Sequence, residues 1–341
     1  MAATRILLGW QLAAEQRNWI ASQLPADVEL LVPEWSDDQN PYDAAPDQLI
    51  ALGREADVIV GWNFPHDVFV EARRLKLISS AHTGYDRYDL DLLRERGVML
   101  TTAAGVNALP VAEHALALLL ALAKRIVEFD GAVRRTDWVD LGPVTAGTLL
   151  AGQTATILGS GRIGNLIARR LKAFDIHTIG IKRDPATGAG DCDEVLPPAQ
   201  MLAALSRSGI VMIALPLNAQ TRGMVNDEAF AALPPGALVV NVGRGMVVKE
   251  SAVHAVLESG HLGGFAADVW WDYADASPAG YHYNVPSRFH VHRHQRVVGS
   301  PDFASNVHGM RERMIEFALE NVREFLAGKR PQRMIDLEEA L

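Results

Sequence analysis

The 341-residue sequence contains a single cysteine, Cys192, so no disulfide can form within the chain. A lone thiol fits a reducing compartment, and we expect a cytoplasmic protein. Long apolar runs are also missing. The most apolar stretch, residues 115–123, follows Glu113 and His114 and is far shorter than the roughly 20 residues of a membrane-spanning helix. No secretory signal is visible at the N-terminus. These absences argue against a secreted or membrane-embedded protein.

Basic residues are too few to favour polyanionic partners. The chain has 32 Lys and Arg against 41 Asp and Glu, a formal net charge of −9. This balance argues against non-specific binding to nucleic acid or to an anionic membrane surface. A hydrophobic content of 49% supports packed cores, and the length suggests two domains. We therefore expect soluble partners.

Short apolar segments alternate with helical patterns in two successive series. Such alternation predicts a parallel sheet with helices on both faces in each half of the chain. The fold class is therefore α/β, with two doubly wound, Rossmann-like domains. The predicted strands are residues 5–9, 28–32, 58–60, 77–80 and 98–101 in the first series, and 155–158, 177–180, 210–214, 238–241, 264–267 and 296–298 in the second.

Two long helices complete this outline. Residues 110–129 read as one helix that opens with Pro110, where a missing amide costs little, and we expect it to join the two domains. Residues 310–326 read as a C-terminal helix that packs back onto the first domain. Its expected apolar stripe consists of Met314, Phe317, Ala318, Val322 and Phe325.

A glycine-rich turn lies between an apolar strand and an amphipathic helix in residues 155–171. Gly159 permits a tight turn, Gly161 lets the backbone approach a pyrophosphate, and Gly164 lets the helix pack close to the strand. The first amides of the helix would face the phosphates. This order predicts a dinucleotide site, against the alternative of a purely structural turn. The residues assigned to it are Gly159, Ser160, Gly161, Arg162, Ile163 and Gly164.

The residues after the next predicted strand bear on the choice of cofactor. NAD-selective sites place an acidic residue there, about twenty residues after the glycines, to bind the ribose hydroxyls. This chain has Lys182 and Arg183 instead, and two cations would attract a 2′-phosphate. The sequence therefore favours NADP(H) over NAD(H). The alternative is a pair of solvated cations, with Asp184 contacting the ribose of NAD.

Further segments lie in one register along the chain: residues 105–107, 111–115, 150–153, 214–217 with Thr221, 241–245 and 267–270. Together they resemble the D-isomer-specific 2-hydroxyacid dehydrogenase family over nearly the whole chain. The resemblance implies a dinucleotide-binding domain over residues 108–302, inserted into a substrate domain formed by residues 1–107 and 303–341. It also implies a homodimer built around the interdomain helix and an arm over residues 138–150.

The resemblance assigns roles to particular residues. Arg244 aligns with the family's catalytic arginine, and its planar fork suits a carboxylate; a surface arginine is the alternative. Asp268 aligns with an aspartate close to the nicotinamide, or else it is an ordinary strand-end aspartate. Residues His82, Thr83 and Gly84 resemble the loop whose amides hold the substrate carboxylate, although His82 could equally be a solvated histidine. The remaining cofactor contacts implied are Leu215, Pro216, Thr221 and Val242.

Two positions depart from the family pattern. The acid/base histidine position is occupied by Asp302, and its usual carboxylate partner position by Tyr273. An aspartate with a pKa near 3.9 is about one part in a thousand protonated at pH 7, and raising that pKa to about 7 costs roughly 4 kcal/mol. Burial can supply this, whereas a nearby Arg244 would oppose it. We hypothesise that Asp302 and Tyr273 together handle the proton.

The expected activity is reversible NAD(P)H-dependent reduction of a small 2-oxo acid to a D-2-hydroxy acid. The alternative is a nucleotide-binding sensor or interaction protein that has lost efficient hydride transfer, as Asp302 would allow. His290, His292 and His294 would share one side of an extended segment, but no carboxylate or cysteine cluster accompanies them. We therefore expect no metal site.

Overall fold

A computed structural model of the protein describes residues 3–34, 44–140, 142, 143, 145–271 and 286–338. These residues divide into two compact units. The first contains the described residues up to 106 and from 308 onward, and the second contains residues 107–307 apart from the gaps. Each unit holds one parallel sheet, so the expected α/β class with two Rossmann-like sheets is confirmed.

The strands are β1 (Thr4–Leu8), β2 (Val28–Leu31), β3 (Val58–Gly61), β4 (Leu77–Ser80), β5 (Met99–Thr101), β6 (Thr154–Leu158), β7 (His177–Ile181), β8 (Glu194–Leu196), β9 (Ile210–Ile213), β10 (Leu238–Asn241), β11 (Gly264–Ala267) and β12 (Val297–Gly299). The helices are α1 (Ala14–Ser22), α2 (Pro46–Gly53), α3 (His66–Glu71), α4 (Leu90–Glu95), α5 (Ala108–Ala123), α6 (Ile126–Arg134), α7 (Arg162–Lys172), α8 (Met201–Leu205), α9 (Asp227–Ala232), α10 (Glu250–Glu258) and α11 (Met310–Leu326). None of these helices combines the length and apolar character needed to cross a bilayer.

The first unit is a five-stranded sheet in the order β2-β1-β3-β4-β5. Helix α11 packs against β3 and β4, and the hydroxyl of Ser79 donates a 2.8 Å hydrogen bond to the carbonyl oxygen of Ala318. The helix has the predicted bounds. Its buried face is shifted from the predicted stripe, because Ile315 and Leu319 are buried alongside Ala318 and Val322.

The second unit is a seven-stranded sheet in the order β12-β11-β10-β9-β6-β7-β8. From β6 the chain adds strands first on one side and then, from β9, on the other, so the order reverses between β6 and β9. In open α/β sheets, ligands bind beyond the carboxyl ends of the strands at this point. Alternate strand residues enter two cores: Ile157 packs in the one containing α5 and α7, and Leu158 in the one containing α9 and α10.

The segment predicted as one helix over residues 110–129 is two helices, so that prediction is wrong. Helix α5 ends at Ala123, and Arg125 takes a left-handed backbone conformation with φ of 54° before α6 begins. Its guanidinium pairs with Glu128 in the first turn of α6 at 2.6 Å, an interaction that favours the new start. The short edge strand β8 was also missed, because three half-buried residues carry almost no periodic signal.

Candidate active site

The glycine turn lies at the reversal point of the seven-stranded sheet, between β6 and α7. Gly159 has φ of 94°, a conformation that favours glycine, and a Cβ there would lie 2.8 Å from the carbonyl oxygen of Ala214. The amides of Gly159 and Ser160 both donate to the carbonyl of Ile181 at the end of β7, at 3.2 and 3.3 Å. A Cβ on Gly164 would collide with the carbonyl of Gly159. The turn is therefore held tightly against both neighbouring strands.

Gly161 differs from the other two glycines because a Cβ at this position would meet no atom within 4 Å. It is exposed and lies directly before α7, whose N-terminus has no side-chain cap. An open face beside uncapped helix amides matches what a dinucleotide pyrophosphate requires. The side chain of Ser160 is buried and packs against Gly180 of β7, so only its backbone belongs to the exposed turn.

The predicted cations follow β7 directly. The ammonium of Lys182 lies 3.4 Å from the carbonyl oxygen of Gly188, and Arg183 is exposed. Asp184 caps a short 3₁₀ turn, because its Oδ1 accepts a 3.0 Å hydrogen bond from the amide of Ala186. One oxygen of the only acidic side chain at this strand end is therefore already engaged within its own loop.

The loop after β9 is closed on itself. The hydroxyl of Thr221 donates to the carbonyl of Pro216 at 2.6 Å and accepts from the amide of Asn218 at 2.9 Å. Leu215 approaches the next loop so closely that a Cβ on Gly243 would lie 2.6 Å from its carbonyl oxygen. Thr221 thus shapes the loop on which the predicted cofactor contacts Leu215 and Pro216 lie.

Arg244 lies three residues beyond the end of β10 and is half-buried. The buried amide of Asn241 fixes its backbone: Nδ2 donates to the carbonyl of Arg244 at 3.0 Å, and Oδ1 accepts from the amide of Gly243 at 3.0 Å. Val242, a predicted cofactor contact, is buried, and its amide donates a hydrogen bond to the carbonyl of Ile213 in β9. A rigid backbone therefore presents the guanidinium at the carboxyl edge of the sheet, where it can grip an anion.

Asp268 follows β11 and is buried, with 2% of its surface exposed. Its Oδ1 accepts hydrogen bonds from the Ser300 hydroxyl at 2.5 Å and from the Phe303 amide at 2.8 Å. Its Oδ2 accepts from the Ala304 amide at 2.9 Å, and its backbone carbonyl accepts from the Asp302 amide at 2.7 Å. Asp268 therefore holds the loop over residues 300–304 through both its carboxylate and its backbone carbonyl.

Asp302 lies at the centre of this loop in a left-handed conformation with φ of 59°. It is half-buried and follows β12, at the same edge of the sheet as Arg244 and Asp268. Tyr273, its proposed partner, lies outside the described residues.

Sequence reasoning gave no role to His114 or Ser300, although both contact Asp268. His114 Nε2 lies 2.7 Å from Ser300 Oγ and 3.5 Å from Asp268 Oδ1. The available signal was a single histidine on α5, a helix whose other residues from Ala115 to Ala123 are apolar.

The predicted carboxylate-binding loop, residues 82–84, lies beyond the carboxyl end of β4 in the first unit. The His82 amide donates to Ser80 Oγ at 3.2 Å, and the His82 carbonyl accepts from Ala103 at 2.8 Å. All three residues are half-buried. The loop is thus anchored through the backbone of its first residue.

The histidines before β12 do not form an extended segment, because residues 291–293 make a 3₁₀ turn. Burial, with the positive charge of Arg293 adding to it, lowers the pKa of His292, and burial lowers that of His294. Across the part of the chain that the structure describes, no three His, Cys, Asp or Glu side chains group closely enough to hold a metal ion.

Comparison with known families places this geometry in context. Residues 116–301 match the family described as "D-isomer specific 2-hydroxyacid dehydrogenase, NAD binding domain". The matched range contains the glycine turn, Arg244, Asp268 and Ser300.

Individual relatives give the same result. A glyoxylate reductase from Thermococcus onnurineus is 30% identical over 314 residues, which cover 89% of each chain. A D-3-phosphoglycerate dehydrogenase from Mycobacterium leprae is 34% identical over 228 residues, 65% of this chain but only 42% of that longer protein. Among solved structures, a protein from Thermus thermophilus has a TM-score of 0.76 and 27% identity, covering 98% of this chain and 100% of that chain.

Proposed function

The chain belongs to the D-isomer specific 2-hydroxyacid dehydrogenase family, and we propose that it transfers a hydride between NAD(P)H and a small 2-oxo acid, forming a D-2-hydroxy acid. One observation carries this proposal. Arg244, Asp268 and Asp302 follow the adjacent strands β10, β11 and β12, at the same sheet edge as the glycine turn. A side chain that can bind a carboxylate thus lies at the same carboxyl ends of the strands as a turn that can bind a dinucleotide.

Reduction needs a cation at the 2-oxo acid and a proton for the developing alkoxide. The bound nicotinamide supplies the hydride. Arg244 holds the substrate carboxylate and polarises the adjacent 2-oxo carbonyl. Asp302, with Tyr273, delivers the proton to the carbonyl oxygen.

The amides of Gly161 and of the first turn of α7 would hold the pyrophosphate, because those of Gly159 and Ser160 already donate to the carbonyl of Ile181. For the adenosine end, the proposal favours NADP(H) over NAD(H). Lys182 and Arg183 offer two positive charges to a 2′-phosphate, and one Asp184 oxygen is already used in capping a turn. Titration with both reduced cofactors tests this choice, and tighter binding of NADH would reverse it.

The proposed assembly is a homodimer built around α5 and the arm over residues 138–150. The second unit exposes several large apolar side chains in this region, which a second copy would cover. They are Ile126, Val127, Val133, Trp138 and Leu149, with exposed fractions of 56%, 56%, 72%, 93% and 70%.

Turnover tests the proposed reaction. Oxidation of NADPH and NADH is followed at 340 nm with 2-oxo acids of increasing size, beginning with glyoxylate. Arg244→Lys keeps the charge but loses the planar fork, and we expect kcat/KM to fall by about a hundredfold, the value of two charge-assisted hydrogen bonds. Asp302→Asn and Tyr273→Phe test the proton donor, and unchanged rates in both would exclude that assignment.

A second candidate function follows from Asp302 standing where the family has histidine. In that case the chain binds a dinucleotide as a sensor or interaction protein. Cofactor binding without turnover of any 2-oxo acid would favour this candidate over the dehydrogenase.

A further inference from the structure

We propose that His114 is a positioning residue, which acts through Ser300 and Asp268 to hold the loop that presents Asp302. Its kinetic consequence depends on the reaction proposed above. The hydrogen-bond chain itself can be measured without turnover.

The direction of the hydrogen bonds follows from the chemistry of the three groups. An ionised carboxylate only accepts hydrogen bonds, so the single hydrogen of the Ser300 hydroxyl points to Asp268 Oδ1, 2.5 Å away. Ser300 Oγ therefore accepts from His114, and the hydrogen lies on Nε2 of that ring, 2.7 Å away. The result is a directed chain from imidazole to hydroxyl to buried carboxylate.

The carboxylate at the end of this chain binds the loop over residues 300–304 directly. It accepts the amides of Phe303 and Ala304, and its main-chain carbonyl accepts the amide of Asp302. Asp302 adopts φ of 59°, a left-handed conformation that is uncommon for L residues although Asp tolerates it better than most. Any shift of the Asp268 carboxylate would therefore be passed to the backbone of Asp302.

A further side chain holds the backbone of Ser300. The indole Nε1 of Trp270 donates to the Ser300 carbonyl at 2.9 Å. The His114 side chain projects from α5, which also packs against β10, β11 and β12. The imidazole thus connects the loop to helix α5, which is long and mostly apolar.

Variants of His114 separate hydrogen bonding from bulk. In glutamine, an N–H donor lies the same number of bonds from Cβ as in the histidine ring, so His114→Gln should keep the chain. His114→Leu removes the donor, and we expect kcat to fall about tenfold while KM for the cofactor stays within about twofold. Glu113→Gln, one residue away and exposed, is the matched control and should change neither value.

Amide hydrogen exchange provides the readout that needs no turnover. In the wild-type protein, the amides of residues 302–304 should be protected. His114→Leu and Ser300→Ala should each lower that protection at least about tenfold, whereas His114→Gln and Ser300→Thr should restore it. Thermal unfolding and cofactor titration show whether each variant is folded, and Ser300→Ala carries the test if His114→Leu is not.

Two results would overturn the proposal: unchanged exchange in both His114→Leu and Ser300→Ala, or an equal loss in His114→Leu and His114→Gln. If no 2-oxo acid is reduced by the wild-type protein, the proposed function fails, and the exchange result still decides the role of His114.

Discussion

An alanine at Gly161 and an alanine at Gly164 add the same methyl group to one turn, but the structure predicts that they damage different properties. The Cβ of residue 164 would collide with the backbone carbonyl of Gly159, whereas that of residue 161 would meet nothing within 4 Å. The first change should reduce stability and the second should reduce cofactor binding.

The loss of stability in Gly164→Ala depends on which atoms must move to make room for the methyl group. Overpacking a well-packed site costs about 1–3 kcal/mol, and the upper part of that range applies because the obstructing atom belongs to the backbone. At roughly 2–4 °C per kcal/mol for a domain of this size, Gly164→Ala should lower the melting temperature by about 5–10 °C.

Gly161→Ala should instead reduce the affinity for the cofactor. Its φ of −84° is open to alanine, and losing glycine at a helix N-cap costs at most about 1 kcal/mol. A methyl group on the open face would displace the pyrophosphate and break one or two amide-to-phosphate hydrogen bonds. At about 1.5 kcal/mol each, cofactor affinity should fall roughly ten- to a hundredfold.

Thermal unfolding without cofactor and calorimetric titration with NADPH and NADH measure the two effects separately. The assignment of the pyrophosphate to this face would be refuted if Gly161→Ala bound both cofactors like the wild-type protein. A melting temperature of Gly164→Ala equal to that of Gly161→Ala would contradict the packing argument.

Four further outcomes are expected. Burial raises the pKa of Cys192 from 9.0 to about 11, so iodoacetamide at pH 8 should modify the folded protein at least about a hundredfold more slowly than the unfolded chain. The pKa of Asp193 is lowered from 3.8 to about 2; burial opposes this shift, and the hydrogen bond from Lys172 helps to produce it. The difference in unfolding free energy between wild type and Asp193→Asn should therefore be about 1–2 kcal/mol above pH 4, after allowance for solvent screening. This difference should vanish as the pH falls to about 2. Trp138→Ser should shift the proposed homodimer toward monomer in light scattering without lowering the melting temperature. Asp302→His should raise kcat at pH 7 if proton delivery limits the rate, and an unchanged kcat would show that it does not.

Periodicity made most of the fold predictable from the sequence. Buried parallel strands such as β10 and β11 are continuous apolar runs between turn residues, and their predicted bounds agree with the structure. The break between α5 and α6 could not be predicted, because neither glycine nor proline marks it. It depends on the backbone of Arg125 and on a local ion pair.

The parts of the candidate site that are formed by neighbouring residues in the sequence could be predicted. A glycine turn depends on consecutive residues, and the roles of Gly159 and Gly164 can be read from their spacing. His114 and Ser300 are 186 residues apart and meet only through the packing of α5 against β12. No spacing rule links two such positions, so the sequence could not show that His114 contacts Ser300.

The network around Asp268 bears on residue 302, which is aspartate at the position where the family resemblance predicts histidine. The backbone amides of Asp302, Phe303 and Ala304 all donate to Asp268, and a hydrogen bond from a backbone amide does not involve the side chain at residue 302. The left-handed conformation there is one in which Asn, Asp and His are all enriched, so the backbone accepts aspartate and histidine alike. Exchanging aspartate and histidine at residue 302 therefore changes which group can donate a proton there, while the backbone of the loop is retained.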